Sequence, residues 1–252
     1  MIQGTRGVEP ARGSDPVVNL DSKIVLVTGA NRGIGHALVD RFLAAGATCV
    51  ATARSEADAE RLAAQLSPFG ERALAERVDI ADEGQVRGLR NRVRERLRRV
   101  DVLVNNAGVL LDEDRRTSAE LLPLHLVRRT LETNLLGTIA MCTAFAPLIP
   151  EHGRIINLSS TMGQLEDGLE PAYAAYAVSK TALNAYTSSL AAALRRRNIL
   201  VDAMHPGWVK TAMGGSGARL APEAATETAL FLATREGGET GRFWYEKRII
   251  PW

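Results

Sequence analysis

Residues 24–35 read IVLVTGANRGIG, which is the pattern of a strand running directly into a helix. The apolar, β-branched run at residues 24–28 is typical of a strand buried on both faces. Three glycines follow at the spacing Gly29-x-x-x-Gly33-x-Gly35. Glycine permits a sharp turn and lets the backbone approach a phosphate while the next helix packs close to the strand. Because a helix start offers unpaired N–H groups and the positive end of its dipole, the junction is predicted to bind an anion.

The rest of the chain repeats this alternation of strand and helix. Further strands are predicted at 48–53, 73–78, 100–105, 154–158, 199–204 and near Phe243, and helices at 35–45, 56–66, 83–98, 126–149, 171–197 and 223–234. Such alternation indicates βαβ units with right-handed crossovers. We predict an α/β, single-domain Rossmann fold at residues 21–252, with a doubly wound parallel sheet of about seven strands and helices on both faces. Residues 1–20, rich in Gly, Pro and charge and without periodicity, are predicted to be a flexible tail.

The overall composition excludes several classes of function. Among 252 residues, Lys+Arg number 31 and Asp+Glu 29, so the net charge of +2 gives no drive toward nucleic acid or anionic membranes. No apolar run reaches the ~18 residues of a transmembrane helix, and no signal segment is recognisable, so we expect a cytoplasmic protein. Two cysteines cannot form a disulfide framework, and four scattered histidines lack the spacing of metal ligands. No protein metal site is therefore expected.

An arginine-rich stretch at residues 87–99 is the one feature typical of nucleic-acid binding. The predicted helix that carries it also has an apolar stripe of Val86, Leu89, Val93 and Leu97. Interleaved aromatic residues, which would stack on bases, are missing from the stretch. We favour a solvated helix face or a subunit contact, and we expect no nucleic-acid partner.

Six further motifs follow the glycine loop along the chain. They are Asp79 after the third strand, Asn105-Asn106-Ala107-Gly108 after the fourth, Asn134 in Thr-Asn-Leu-Leu-Gly, Ser159-Ser160 after the fifth, Tyr176-x-x-x-Lys180, and Pro206-Gly207 after the sixth. With Thr28-Gly-x-x-x-Gly-x-Gly, this ordered set resembles the short-chain dehydrogenase/reductase family over residues 22–252. Residues 206–215 (PGWVKTAMGG) and the terminal Ile-Pro-Trp are similar to its carbonyl-reductase-like branch. The resemblance implies hydride transfer with a nicotinamide cofactor.

Tyr176 and Lys180 form the candidate catalytic pair. They lie four residues apart on a predicted helix, so their side chains share one face. A phenol has a pKa of about 10, and a neighbouring ammonium is expected to lower that pKa toward the range of a useful general acid. Tyr173 lies nearer the family's usual distance from Ser160, but Ala177 stands where its lysine would be. Tyr176 is therefore preferred as the acid.

Two polar residues complete the candidate catalytic set. Ser160, at the end of a strand, can hold the carbonyl oxygen as negative charge develops on it. Ser159 is the alternative, but Ser160-Thr-Met-Gly163 fits the family's Ser-x-x-Gly pattern better. The resemblance implies that Asn134 supports a water linking Lys180 to solvent for proton relay. The alternative is that Asn134 is only a polar residue on a helix.

The choice between NAD and NADP depends on the end of the second strand. A carboxylate there would bind the ribose 2′-hydroxyl, whereas an arginine would accept a 2′-phosphate. The strand ends at Arg54 with no acidic residue before Glu56, and Arg32 lies within the glycine loop. We predict NADP(H), the alternative being that both arginines are solvated surface residues. The predicted cofactor-binding residues are Gly29, Asn31, Arg32, Gly33, Ile34, Gly35, Arg54, Asp79, Ile80, Asn106, Ala107, Gly108, Tyr176, Lys180, Pro206, Gly207, Val209 and Thr211; by resemblance, Asp79 meets adenine and Thr211 meets the nicotinamide carboxamide.

The substrate region is less specific in sequence. Residues 164–171 lengthen the interval between Ser160 and Tyr176 and are predicted to form a loop beside the substrate. The glycine-rich segment from Thr211 to Pro222 is a candidate mobile lid. Candidate substrate contacts, with core packing as the alternative, are Met162, Leu165, Tyr173, Trp208 and Met213.

The sequence thus predicts an NADPH-dependent reductase of ketones or aldehydes. Two alternatives remain open, namely NADP-dependent alcohol oxidation and a non-catalytic NADPH-sensing regulator. The expected partner is a small carbonyl or alcohol substrate, with no nucleic acid and no membrane. By resemblance, the protein is a possible homodimer or homotetramer.

Overall fold

The structure, a computed structural model, describes residues 19–166 and 168–252. Within these ranges eight strands form one sheet: β1 (Ile24–Val27), β2 (Thr48–Ala53), β3 (Ala73–Arg77), β4 (Val102–Asn105), β5 (Arg154–Leu158), β6 (Leu200–Met204), β7 (Phe243–Tyr245) and β8 (Arg248–Ile250). Their order is β3-β2-β1-β4-β5-β6-β7-β8, and every pair is parallel except β7 with β8. The chain moves outward from β1 to β3 and then returns to β4. The carboxyl ends of β1 and β4 therefore border the crevice where such sheets bind ligands.

The doubly wound Rossmann fold is confirmed, with one strand more than the seven expected. The extra strand, β8, pairs antiparallel with β7 through a two-residue turn at Glu246 and Lys247. Both turn residues have positive φ, 47° and 63°. Such turns normally carry Gly, Asn or Asp, so this hairpin has no recognisable sequence signal.

Helices cover both faces of the sheet. They are α1 (Gly33–Ala44), α2 (Glu56–Leu66), α3 (Glu83–Leu97), α4 (Leu124–Leu131), α5 (Thr138–Phe145), α6 (Ala174–Leu194) and α7 (Thr226–Thr234) among the described residues. One apolar core joins α1, α2 and α7 to Val25 and Val27, and the other joins α3, α5 and α6 to Ile24 and Leu26. Successive β1 residues thus face opposite layers, as burial of both faces requires.

The helix predicted at 126–149 is interrupted in the structure. Between α4 and α5 the residues Glu132–Gly137 form a π-helical turn, and a 3-10 turn at Ala146–Leu148 follows α5. A side chain at Gly137 would come within 2.8 Å of Ile80, so the turn lies directly against the loop after β3. π-Helical turns often occur at functional sites, and this one carries Asn134.

The start of the fold differs slightly from the predicted boundary. Residues 1–18 of the predicted tail lie outside the described residues. Leu20, also assigned to the tail, is only 3% exposed, and its N–H donates to the Ala45 carbonyl at 2.7 Å. An apolar side chain at that position belongs to the core, so the fold begins before residue 21. None of the helices in the described ranges combines the length and apolar character needed to cross a bilayer.

Candidate active site

The glycine loop turns sharply between β1 and α1. Gly29 has a φ of 64°, and a Cβ there would lie 2.9 Å from the Cα of Ala107. A Cβ at Gly35 would collide with the Gly29 carbonyl. The loop is therefore closed to side chains at both ends, which leaves its backbone accessible to a ligand.

Thr28 and Asn106 hold this loop in place. The Thr28 hydroxyl accepts hydrogen bonds from the N–H groups of Asn106 and Ala107, both at 3.0 Å. The Asn106 amide donates to the carbonyls of Thr28 at 2.8 Å and Gly29 at 2.9 Å. Its Nδ2 donor is thus committed to the loop. Within the cofactor site, Asn106 acts by shaping the backbone that would face the ligand.

The start of α1 fits the phosphates of a dinucleotide. Arg32, the residue before the helix, makes no side-chain cap, and the first turn contains no acidic residue. The first N–H groups of a helix have no partner within the helix. Without a capping side chain they remain available to an anion, whose charge the helix dipole also favours.

The end of β2 presents a guanidinium and no carboxylate. Arg54 is exposed directly after the strand, and Arg32 is exposed on the neighbouring glycine loop. The next acidic side chains are paired with other groups: Glu56 lies 3.6 Å from Arg77, while Asp58 bonds Ser55 in its own helical turn and Asn31 of the glycine loop. This arrangement suits a 2′-phosphate better than a free ribose hydroxyl.

The remaining predicted cofactor residues lie in the loops after β3, β4 and β6. Asp79 is half-buried and accepts a hydrogen bond from the Ala81 N–H at 3.0 Å, while Ile80 is buried. Thr211 meets the glycine loop from the opposite side, since a Cβ at Gly33 would lie 3.0 Å from its Cγ2. The structure therefore brings the predicted set to one edge of the sheet, with Ala107, Gly108, Pro206 and Gly207 half-buried and Val209 buried.

Tyr176 and Lys180 are buried side by side on α6. The Lys180 Nζ lies 5.5 Å from the centroid of the Tyr176 ring and donates to the Leu158 carbonyl at 2.8 Å. Burial lowers the pKa of Lys180 to about 8. Burial also raises the pKa of Tyr176 to about 12, against smaller lowering effects of a hydrogen bond from Ser160 and the charge of Arg115.

The prediction that Lys180 lowers the pKa of the Tyr176 phenol is wrong, because the packing of the protein raises that pKa instead. Desolvation is the largest influence on the phenol, because Tyr176 is only 8% exposed. The consequence is that Tyr176 carries its proton at neutral pH, which is the form that an acid needs.

The segment Ser160–Gly163 docks on α6 and brings Ser160 to the phenol. A Cβ at Gly163 would lie 2.7 Å from the Thr181 N, and the Thr181 hydroxyl donates to the Gly163 carbonyl at 3.0 Å. By contrast, Ser159 turns into the protein and donates to Asn184 Oδ1 at 2.6 Å. The geometry thus favours Ser160 over Ser159, and it explains the glycine of the Ser-x-x-Gly pattern as a contact with the helix.

Asn134 is fully buried beside Lys180. Its Oδ1 accepts from the Val109 N–H at 2.7 Å, and its Nδ2 donates to the Val109 carbonyl at 2.9 Å and to Ser179 Oγ at 3.0 Å. A Cβ at Gly108 would lie 3.3 Å from Asn134 Oδ1 and 3.7 Å from the Lys180 Nζ. The side-chain amide is therefore used to join β4's loop to α6.

The five candidate substrate residues are divided between half-buried and exposed positions. Met162, Tyr173 and Met213 are half-buried, whereas Leu165 and Trp208 are 60% and 54% exposed. The Trp208 Nε1 donates to the Gly214 carbonyl at 2.9 Å, so the segment after β6 folds back on itself. The loop at Leu165 instead pairs with the end of the chain, its N–H donating to the Trp252 carbonyl at 3.2 Å.

Two neighbouring loop residues contribute to the site without having been predicted from the sequence. Asp114 is fully buried and accepts hydrogen bonds from the first turn of α6. Arg115 donates to the Met213 carbonyl at 2.5 Å. Both belong to the irregular stretch Asp-Glu-Asp-Arg-Arg, which has neither periodicity nor a motif that could have singled them out. Thr28 had a signal, because it opens the glycine motif.

Side chains that the sequence analysis set aside do not join the site. Burial raises the pKa of both Cys49 and Cys142 to about 12, so these thiols are unreactive core residues. Burial lowers the pKa of His205 to about 4, which keeps the imidazole neutral. Within the described ranges no three potential metal ligands come together.

Comparison with known proteins places this arrangement in context. The family model for short chain dehydrogenases matches residues 23–219. Carbonyl reductase [NADPH] 1 of Bos taurus is 32% identical, covering 91% of this chain and 98% of its own. The 3-oxoacyl-[acyl-carrier-protein] reductase FabG of Escherichia coli is 32% identical, covering 78% of this chain and 77% of its own.

Solved structures show the same similarity in three dimensions. An NADPH-bound carbonyl reductase from chicken fatty liver superposes with a TM-score of 0.83 at 28% identity, over 92% of this chain and all of its own. A blue fluorescent protein from a metagenomic library, in complex with NADPH, gives a TM-score of 0.80 at 32% identity, over 89% and 96% of the two chains.

Proposed function

This chain belongs to the short-chain dehydrogenase family, and from that membership we propose that it is an NADPH-dependent oxidoreductase that reduces a ketone or aldehyde to an alcohol. In this proposal hydride transfer is completed by proton donation from Tyr176. The observation that best supports this proposal is the packing of the Tyr176 phenol near the Ser160 hydroxyl and the Lys180 ammonium, at the carboxyl end of β5.

The cofactor assignment rests on the chain's own loops and on its relatives. The uncapped start of α1 would receive the phosphates, and Arg32 with Arg54 would receive the 2′-phosphate. Relatives similar over most of their length are NADPH carbonyl reductases, or were crystallised with NADPH. When bound, NADPH supplies the hydride.

Tyr176 and Lys180 on α6, together with Ser160, would carry out the proton transfer. As the carbonyl oxygen gains negative charge, Ser160 Oγ would donate a hydrogen bond to it, and Tyr176 would transfer its proton. The buried Lys180 ammonium would stabilise the phenolate that remains, and its own carbonyl contact at Leu158 fixes its position. Since the Asn134 amide is bonded to Val109 and Ser179, any water relay would use its main-chain carbonyl instead.

The raised pKa of Tyr176 does not distinguish reduction from the alternative, alcohol oxidation, because the same phenol donates the proton in one direction and would accept it, as phenolate, in the other. Reduction is supported instead by the relatives that are NADPH carbonyl reductases. A non-catalytic NADPH-sensing role is disfavoured because Tyr176, Lys180 and Ser160 are all present, with the Lys180 Nζ 5.5 Å from the Tyr176 ring and Ser160 hydrogen-bonded to the phenol.

The test is NADPH consumption across a panel of ketones and aldehydes, followed by absorbance. Tyr176→Phe should lower kcat by about 10²–10⁴-fold, the range of general acid catalysis, while NADPH binding is kept. Tyr186→Phe removes a phenol hydroxyl from the same helix, away from Ser160, and should leave kcat unchanged. Full activity in Tyr176→Phe would refute the proposed acid, and tight NADPH binding without turnover on any carbonyl would favour the sensor.

The remaining assignments are proposals of the same kind. We propose a small carbonyl or alcohol substrate, no nucleic-acid or membrane partner, a homodimeric or homotetrameric assembly and a cytoplasmic location. Light scattering of the purified protein measures the assembly, and fractionation of the source cells measures the location.

A further inference from the structure

Helix α6 begins without a cap of its own. Tyr173, the residue before the helix, has a left-handed backbone with φ 63° and ψ 26°, and its side chain makes no capping hydrogen bond. The first N–H groups of any helix lack partners within the helix. Here those groups include the N–H of Tyr176, which stands at the third position of α6.

Asp114 supplies the missing cap from a distant part of the chain. Its Oδ1 accepts from the Ala175 N–H at 3.1 Å, and its Oδ2 accepts from the Tyr176 N–H at 2.8 Å. Its main-chain carbonyl accepts from the Tyr173 N–H at 3.1 Å. One residue, 61 positions before Ala175, thus binds three N–H groups around the start of the helix.

The side chain of Asp114 is completely buried, so its oxygens depend on hydrogen bonds within the protein in place of water. A buried charge is strongly unfavourable unless it is paired or hydrogen-bonded. The two N–H donors and the positive end of the α6 dipole provide that compensation. The surrounding loop is tied to the same place, because Ser118 forms a β-bridge with Ala172.

We propose that Asp114 is a positioning residue that fixes the first turn of α6, and with it the direction of the Tyr176 phenol toward Ser160. The inference rests on the proposed function. A displacement of about 1 Å in a reacting group can cost about 10²-fold in rate, so a loosened first turn should lower kcat markedly.

The experiment compares Asp114→Ala and Asp114→Asn with two controls. Glu113→Ala removes an exposed carboxylate from the same loop, which pairs with His125 among the residues that the structure describes. Asp82→Ala removes the side-chain cap of a different helix, α3, whose Gln85 N–H it binds at 3.0 Å. All variants are assayed with saturating NADPH at a temperature where circular dichroism shows them folded.

We expect kcat of Asp114→Ala to fall by about 10–10²-fold while the Kd for NADPH stays unchanged. Asp114→Asn should rescue part of this loss, because its amide oxygen can accept from one N–H while its NH₂ cannot accept from the other. Hydrogen exchange of a peptide spanning residues 174–178 should be faster in Asp114→Ala. Both controls should keep kcat, since neither removes a bond to α6.

Other outcomes separate this inference from the proposed function. If Tyr176→Phe is inactive but Asp114→Ala keeps full kcat, the positioning role is refuted and the proposed function stands. A fall in kcat of Asp82→Ala as large as that of Asp114→Ala would also refute it, because general destabilisation would then explain both. If Tyr176→Phe keeps its activity, Tyr176 is not the acid, and the inference fails with the mechanism on which it rests, while absence of turnover on any carbonyl would refute the proposed function itself. Should Asp114→Ala not fold, an unchanged kcat in Asp114→Asn refutes the inference.

Discussion

The cofactor side and the substrate side of the candidate site are built by different means. On the cofactor side, Gly29 and Gly35 make room for backbone groups, and the start of α1 offers N–H donors without any side chain. On the substrate side, Tyr176 is held by Asp114 of a distant loop, and Ser160 lies in a segment whose Gly163 carbonyl accepts from Thr181 of α6. The glycine spacing that shapes the first arrangement is local in sequence, although Asn106 of the loop after β4 also holds it, whereas the contacts that hold the second arrangement have no local sequence signal. Substitutions should therefore affect binding on one side and turnover on the other.

The largest effect is expected for Lys180→Met on the substrate side. The variant keeps the volume of the side chain but removes the buried ammonium that lies 5.5 Å from the Tyr176 ring. A fall in kcat of about 10²–10⁴-fold at saturating NADPH is expected, larger than the loss of NADPH affinity caused by removing the predicted contact of Lys180 with the cofactor. Single-turnover kinetics measure the first quantity and fluorescence titration the second. Weaker NADPH binding at an unchanged single-turnover rate would show that Lys180 serves cofactor binding and not turnover, contrary to the proposed separation of the two sides.

Gly35→Ala is the matching change on the cofactor side. Its Cβ would collide with the Gly29 carbonyl, so the backbone of the loop must shift. Overpacking of this kind costs about 1–3 kcal/mol, which corresponds to about 10–10²-fold in the Kd for NADPH. Gly88→Ala provides a control, because Gly88 lies within α3 and a Cβ there would approach only the flexible end of the Arg92 side chain, at 3.3 Å. A lowered kcat at saturating NADPH, with an unchanged Kd, would contradict the expectation.

The same division explains what could be predicted from the sequence. The alternation of strands and helices and the glycine loop could be predicted from the sequence because hydrophobic runs and glycine spacing are local properties. The π-helical turn at Glu132–Gly137 was not, since it depends on packing of Gly137 against Ile80. The cap by Asp114 was not either, because an isolated aspartate in a loop has no recognisable partner 61 residues away. The pKa of Tyr176 also depends on burial, which the Tyr-x-x-x-Lys spacing does not reveal.

A smaller effect is expected for cofactor preference. Replacing Arg32 and Arg54 together by Ser removes two guanidiniums from the proposed 2′-phosphate site. Because both side chains are exposed, each contact is expected to be weak, and the preference for NADPH over NADH should fall about tenfold in total. The ratio of kcat/KM for the two cofactors measures this. An unchanged ratio of kcat/KM for NADPH and NADH would mean that other residues bind the 2′-phosphate.

The pH dependence of reduction should report Lys180 rather than Tyr176. Burial lowers the pKa of Lys180 to about 8, so its charge is present below that pH and is lost above it. The phenol, with a pKa of about 12, stays protonated throughout the accessible range. The rate of carbonyl reduction should therefore decline as pH rises through about 8, by up to about tenfold per unit. A profile for Lys180→Met with the same decline would rule out Lys180 as its source.

The smallest effect on kcat is expected for Ser159→Ala, although substitution of the adjacent Ser160 is expected to have a large one. The Ser159 hydroxyl donates to Asn184 Oδ1 and is buried, so its loss should cost about 1 kcal/mol in the free energy of unfolding, measured by urea denaturation. Its kcat should stay near that of the parent protein. Ser160→Ala should instead lower kcat by about 10²-fold, since its hydroxyl is placed to donate to the carbonyl oxygen, and it should cost about 1 kcal/mol in stability because that hydroxyl also accepts from the Met162 N–H at 3.2 Å. The two serines both follow β5, which ends at Leu158, but the Ser159 hydroxyl binds Asn184 inside the protein, whereas Ser160 begins the turn that packs against α6 through Gly163. Equal losses of turnover in both variants would show that the strand end acts as a unit, and that the substrate side does not depend on individual side-chain contacts.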